Sequence, residues 1–303
     1  MAAPAQVAAN GGTLGLEPKF VDVDGIRTRY LEKGTGQPMV FAQGAGWSGY
    51  FNANLWDVNV VELGNDFRAI APDKLGTGMT DNPKRPEDYS IEAQVKHFIG
   101  FLDALELRDI HLVGQSRGGY LAARAALERP ELCPSLIILN TQTLAPDDGT
   151  FAERRARLTA QEPGEHDLAR LLHTRLGRLS YSSDHITDEF LAADVYMEGL
   201  PKAQETKRAM EAGGLELFES SLAAQKEETL RWIEEGRLQT PTLLYWGRDD
   251  PQGIFSAGVA LYEVFAKKNE KARMYVVNQA GHFVFREKAS EFNQVARAWA
   301  KAW

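Results

Sequence analysis

Ser116 stands inside Gly-Gln-Ser-Arg-Gly (114–118), after the apolar run IHLV and before the helix formers YLAARAALE. A serine hydroxyl is nucleophilic at neutral pH only beside a base, and that base needs an acid to hold its tautomer and orientation. The chain offers both downstream. YWGRDDPQG carries Asp249 and Asp250 behind an apolar run, and NQAGHFVFREK carries His282 behind another. Asp250 is the favoured acid because it completes a G-x-x-D pattern after its run; Asp249 is the alternative. A G-x-S-x-G between strand and helix makes a sharp turn that lifts the serine Oγ above a sheet. The helix that follows aims its dipole and free N–H groups at the place where negative charge develops. The pentapeptide alone is a common string, and Asp-Asp-Pro alone is an ordinary turn. Three groups in the order Ser, Asp, His, each behind an apolar run, point to covalent catalysis by Ser116, Asp250 and His282. His97, His111, His166, His173 and His185 lie in helical patterns, at a strand start or in a charged segment, and read as structural.

An oxyanion needs two backbone donors. One is expected from Arg117, the residue after the nucleophile, and the other from the turn FAQGAGWSGY (41–50), where Gly44, Ala45 and Gly46 admit a substrate close to the backbone and Ala45 is the expected donor. The elements that must position these groups alternate. FVDVD (20–24) and IRTRYLEKG (26–34), split by Gly25, read as an antiparallel hairpin. Short apolar runs at 38–44, 67–73, 110–115, 135–140, 241–247 and 272–278 read as strands buried on both faces. Helical patterns fall at 52–63, 90–107, 117–129 and 287–303. The expected fold is α/β, a mostly parallel sheet flanked by helices, with ligands outside the carboxyl ends of the strands. Residues 145–238 show only helical patterns and charge, too long for a loop, and are expected to form an inserted helical cap. That divides the chain into a disordered leader (1–18), a core (19–144 and 239–303) and the cap (145–238). The cap is expected to supply substrate contacts and no part of the Ser–His–Asp assembly.

The 303-residue length suggests about two domains, although single α/β domains of this size are common. A net charge of −8 without a basic patch argues against nucleic acid or anionic membrane as the main partner. The single cysteine, Cys133, excludes an internal disulfide and reads as a small buried residue. No run is long and apolar enough for a membrane helix, and the N-terminal segment lacks the basic and apolar regions of a signal peptide, so a cytoplasmic location is expected. With no metal-ligand cluster, phosphate loop or dinucleotide fingerprint, neither cofactor nor metal is expected.

The Gly-rich turn at 43–46, DKLGTGMTDNP (73–83), GQSRGG, WGRDD and AGHFVFREK together resemble the α/β-hydrolase family, from about residue 20 to 303. Within it the chain is similar to the meta-cleavage product hydrolases of aromatic-ring degradation and the esterases related to them. The resemblance implies an α/β-hydrolase fold, a small-molecule substrate and a homodimer as a possible assembly. Substrate contacts are expected at Gly44, Gly46, Gln115, Arg117 and Phe283; for Arg117 the ground is that the turn directs its neighbours toward the pocket floor, and pairing with a nearby acid at the helix start is the alternative. Several positions depart from the meta-cleavage pattern. Gln43 replaces a histidine before Gly44, Gln115 an asparagine, and Phe283 a tryptophan. Where those enzymes place a cap arginine for the 2-oxo acid end of the substrate, alignment falls near Asp194, with no arginine in reach. Arg117 stands where the family prefers an apolar residue. The spacings of Ser116, Asp250 and His282 are similar to those of monoalkyl phthalate ester hydrolases. The expected activity is therefore hydrolysis of a carboxylic monoester bearing a free carboxylate. The alternatives are carbon–carbon hydrolysis of ring-cleavage products and, from another class, a catalytically silent ligand receptor, disfavoured because all three catalytic residue types are present.

Overall fold

The computed structural model describes residues 10–160 and 166–303. Two β-hairpin strands open the chain, β1 (Lys19–Val23) and β2 (Ile26–Lys33). The link is the two-residue turn Asp24-Gly25, both with positive φ, whose twist matches that of the flanking strands. Then follow β3 (Pro38–Ala42), α1 (Asp57–Leu63), β4 (Arg68–Pro72), α2 (Ile91–Ala104), β5 (His111–Gln115), α3 (Arg117–Glu128) and β6 (Ser135–Leu139). Five helices intervene before the next strand: α4 (Phe151–Thr159), α5 (Leu168–Leu179), α6 (Asp188–Glu198), α7 (Pro201–Ala209) and α8 (Leu215–Glu234). The chain closes with β7 (Thr242–Gly247), α9 (Phe255–Ala266), β8 (Arg273–Val277), α10 (Val284–Glu287) and α11 (Ala289–Lys301).

The eight strands form one sheet in the order β1-β2-β4-β3-β5-β6-β7-β8, antiparallel at β1-β2-β4 and parallel from β4 onward. Successive residues of the central strands feed opposite faces, because side chains alternate along a strand. Val40, Leu112, Leu136, Ile138 and Leu244 pack with Phe98, Leu121 and Leu261 of α2, α3 and α9. Phe41, Val113, Ile137 and Tyr245 pack with Val60 and Phe292 of α1 and α11. Both faces are covered, which is why the strands read as continuous apolar runs. The cap helices divide between the same two cores: Phe218 of α8 joins the first, Leu176 of α5 and Phe190 of α6 the second.

The leader is a correction. Residues 1–9 lie outside the described residues, but 10–18 are not a disordered tail. Thr13 Oγ1 donates to Asp57 Oδ2 at 2.7 Å, the buried Arg29 donates to the Gly11 carbonyl at 2.6 Å, and Leu16 is buried. The low-complexity appearance of the segment hid polar anchors that only tertiary partners reveal. The helical pattern at 52–63 resolves into a short 3₁₀ turn (Ala53–Trp56) followed by α1, and the helix expected at 287–303 is α11, with the short α10 just before it. Cys133 is buried, and burial pushes its thiol pKa up to about 12. Among the described residues no helix is long and apolar enough to cross a membrane.

Candidate active site

Ser116 sits between β5 and α3 with φ 54° and ψ −122°, a strained conformation for a residue with a Cβ. The two flanking glycines allow the turn to close. A Cβ on Gly114 would lie 2.2 Å from the Gly118 carbonyl oxygen, and one on Gly118 would lie 2.0 Å from that of Ala42. The turn is tied to the next strand by Ser116 N–H donating to the Leu139 carbonyl at 2.8 Å.

His282 and Asp250 meet as a buried pair, Nδ1 to Oδ2 at 2.7 Å. Asp250 keeps the other carboxylate oxygen on the backbone N–H groups of Gln252 (2.8 Å) and Gly253 (3.0 Å). Asn140, at the end of β6, adds a third donor at 2.6 Å to Oδ2 and accepts from Gly247 N–H at 3.1 Å. A carboxylate so held keeps one orientation toward the imidazole. Asp249 does something else: its Oδ2 accepts from Gln279 N–H at 2.8 Å and braces the turn after β8. Gln115 lines the cavity, and its amide nitrogen donates to the His282 carbonyl at 3.1 Å. The cap contributes more than expected. His282 N–H donates to the Leu179 carbonyl of α5 at 2.8 Å, and a Cβ on Gly281 would lie 2.6 Å from that same oxygen. Glu287 accepts from the N–H groups of Gly281, Tyr181 and Ser182, stitching the histidine loop to the end of α5.

Ala45 takes a positive φ of 56° in the turn after β3. Among the described residues its N–H and that of Arg117 make no hydrogen bond within the chain, leaving two donors free beside Ser116. The turn is close-packed, since a Cβ on Gly44 would lie 2.7 Å from that of Ser116. In the amide orientation that satisfies it, Gln43 donates to the Pro72 carbonyl (2.8 Å) and accepts from Lys74 N–H (3.1 Å), joining the ends of β3 and β4.

These groups open into one cavity of about 920 Å³ between sheet and cap, lined by Gly44, Ala45, Gly46, Gln115, Ser116, Arg117, His282 and Phe283 on the core side. Phe283 stacks on Phe51 (6.2 Å between centroids) and forms part of the apolar wall. Two guanidiniums line the cavity without a carboxylate partner among the described residues. Arg117 lies over the Phe218 ring at 4.6 Å with its Nε buried and unbonded; burial and the nearby Arg155 pull its pKa down to about 9 against the opposing field of Glu219. Arg175 of α5 lies 5.3 Å from the Tyr50 ring and 5.5 Å from Phe51, donates to the Tyr50 hydroxyl, and also has a buried, unbonded Nε. The third arginine in the cavity, Arg155, pairs with Glu219 at 3.1 Å.

No arginine was expected in reach near Asp194, and a cap arginine, Arg175, lines the cavity from elsewhere. It comes from a helix earlier than the aligned position, where Asp194 is instead buried against Asn52. Sequence reasoning missed Asn140 and Arg175. The first could have been suspected from its place directly after the apolar run of β6; the second carried no sequence signal. His97 and His111 bond Thr28 and Ser135 inside the core, in keeping with their structural reading. Among the described residues no cluster of metal-ligating side chains is present.

A profile of the alpha/beta hydrolase fold matches residues 37–289. The chain is 28% identical over 268 residues to the 2-hydroxymuconate semialdehyde hydrolase of Pseudomonas sp. (strain CF600), covering 88% of each. It is 27% identical over 289 residues to the 2-hydroxy-6-oxononadienedioate/2-hydroxy-6-oxononatrienedioate hydrolase of Paraburkholderia xenovorans (strain LB400), covering 91% of this chain and 93% of that one. Among solved structures it is similar to a meta-cleavage product hydrolase (CumD) from Pseudomonas fluorescens IP01, with 25% identity, a TM-score of 0.73, and coverage of 94% of this chain and 97% of that one. The family profile spans the sheet from β3 to the histidine loop together with everything between, and the chain belongs to the α/β-hydrolase fold family.

Proposed function

We propose that the protein hydrolyses a carbon–carbon bond beside a carbonyl in an acidic, meta-cleavage-type substrate. The observation that carries this reading is the pair of guanidiniums, Arg117 and Arg175, that line the same cavity as Ser116 and His282 with no ion-pair partner among the described residues. Arg117 is enclosed with only the field of Glu219 to offset its charge, and a substrate carboxylate would relieve that cost. The arginine in the cap removes the main sequence argument against this activity, and the relatives named above act on acids of this type. Ser116 serves as nucleophile, with its proton passing to His282 and Asp250 holding the imidazole. The N–H groups of Ala45 and Arg117 receive the oxyanion. The departing carbon takes its electron pair into the conjugated 2-oxo acid and a proton from His282, and water then releases the acyl group from Ser116 as a second acid.

Arg117 beside the nucleophile favours a second reading, hydrolysis of a carboxylic monoester such as a monoalkyl phthalate. One side-by-side assay separates the two, using a meta-cleavage dienoate, a monoalkyl phthalate, its dialkyl counterpart and a p-nitrophenyl ester. The proposal expects the highest kcat/KM on the dienoate. Preference for the monoalkyl phthalate would replace it with the ester reading, and equal rates on the mono- and dialkyl esters would remove the carboxylate from recognition.

A further inference from the structure

Lys74 is buried beneath the turn that presents Ala45, and its ammonium donates to the carbonyls of Gly44 and Ala45 at 2.6 Å each. The neighbouring Asp73 is engaged elsewhere, by Arg29 and by the N–H groups of Ala53 and Met79. Lys74 thus faces two backbone oxygens, with no carboxylate bonded to it among the described residues. Those oxygens have particular partners within their own peptide units: the Gly44 carbonyl is conjugated to the N–H of Ala45, and the Ala45 carbonyl to the N–H of Gly46. A hydrogen bond from a cation to a peptide oxygen draws electron density out of the unit and strengthens its N–H as a donor. Burial, and then the field of Arg117, hold the ammonium well below the ordinary lysine pKa, with Asp73 acting in the other direction. A negative charge arising between Ala45 and Arg117 would lie close to both cations.

We propose that Lys74 is a positioning residue for the oxyanion, fixing the left-handed turn at Ala45 and polarising the Ala45 N–H toward charge on the substrate oxygen. The inference rests on the reading of Ser116 as an acyl-transfer nucleophile. As the Ser116 Oγ–carbon bond forms, the carbonyl π pair moves onto oxygen and the serine proton moves to His282. Lys74 transfers no proton in this step; it acts through the peptide between Gly44 and Ala45. A residue needed only to brace the turn would not require a charge there.

The test compares Lys74→Gln, which keeps a donor and removes the charge, with Lys74→Met, which removes both. For variants that retain the wild-type circular dichroism spectrum, Lys74→Met should lower kcat by about 10–100-fold, below the loss of a whole oxyanion donor. Lys74→Gln should recover little of that loss. Inhibition by a boronic acid, whose tetrahedral adduct places an oxygen in the hole, should weaken by the same factor, while KM and inhibition by the carboxylate product stay near wild type. Boronate and product affinities falling together would make Lys74 a structural brace and overturn the proposal, as would unchanged kcat in either folded variant. If neither variant folds, ¹⁵N NMR of the unaltered protein decides. A protonated, slowly exchanging lysine ammonium with an Overhauser contact to Ala45 is expected near neutral pH, and a neutral amine there would refute the charge. The underlying reading fails separately, through activity retained by Ser116→Ala.

Discussion

Asp194 of α6 lies against the core with 1% of its surface exposed; its Oδ1 accepts from Asn52 Nδ2 at 2.7 Å, and its Oδ2 has no partner. Burial raises its pKa from 3.8 to about 7; Asp57 and Asp73 push the same way, while Asn52 and Arg286 oppose them. The folded state therefore keeps a proton that the unfolded chain releases near pH 4, so stability falls as pH rises until the folded carboxyl ionises near pH 7. Asp194→Asn keeps the acceptor for Asn52 and removes the ionisation. From pH 5 to pH 8 the wild type should lose about 2.7 kcal/mol relative to the variant, two pH units at about 1.36 kcal/mol each. For a chain of this length that is a divergence of about 4 °C in Tm. Thermal unfolding of both proteins at pH 5, 6, 7 and 8 would reveal it as two curves separating toward pH 8. Parallel curves with a constant offset would refute the reasoning and mean that Asp194 is ionised in the folded protein throughout.

Ser116→Ala should leave Tm nearly unchanged and lower kcat by on the order of 10⁶-fold; a tenth of wild-type activity remaining would remove Ser116 from the mechanism. Asp250→Asn should cost about 10⁴-fold in kcat by favouring the wrong imidazole tautomer. Asp249→Asn, which only disturbs the bond to Gln279 N–H, should show in Tm far more than in rate, and reversed effects would exchange the two roles. Arg117→Met and Arg175→Met should each lower kcat/KM for an acidic substrate by about 10–150-fold, the worth of a hydrogen bond to a charged group. Neither should much affect a neutral p-nitrophenyl ester, and equal losses on both substrates would mean that the mutation disturbed the site itself.

Much of this molecule was legible in sequence because its signals are local. Apolar runs bounded by Gly and Asp marked the central strands, and the residue types directly after them marked Ser116, Asp250 and His282. The same locality explains what was missed. Arg175 is one of many arginines in the cap, and only the packing of α5 against Tyr50 and Phe51 selects it. Lys74 stood within a recognised motif, yet nothing in DKLG says that its side chain turns back under the Gly-rich turn. The segment 10–18 failed for a related reason, since Thr13 and Gly11 are anchored by Asp57 and Arg29, far away in sequence. Alignment put Asp194 where an arginine was sought, whereas folding brings Arg175 of the preceding helix to the cavity.

The bond from His282 N–H to the Leu179 carbonyl, with Glu287 gripping the residues on either side, bears on how substrate traffic and cap exchange can work. If the whole cap lifted as a flap, each opening would pull on the backbone of His282 and each closing would have to rebuild that bond. Opening at the border where Ala152 and Arg155 of α4 meet Glu219 and Ala223 of α8, held by the Arg155–Glu219 ion pair, would leave that seam intact. The end of α5 is then a fixed jamb rather than a moving door. A chimaera carrying another protein's cap would need to preserve residues 179–182 against Gly281 and Glu287, or it would inherit a new specificity together with a displaced histidine.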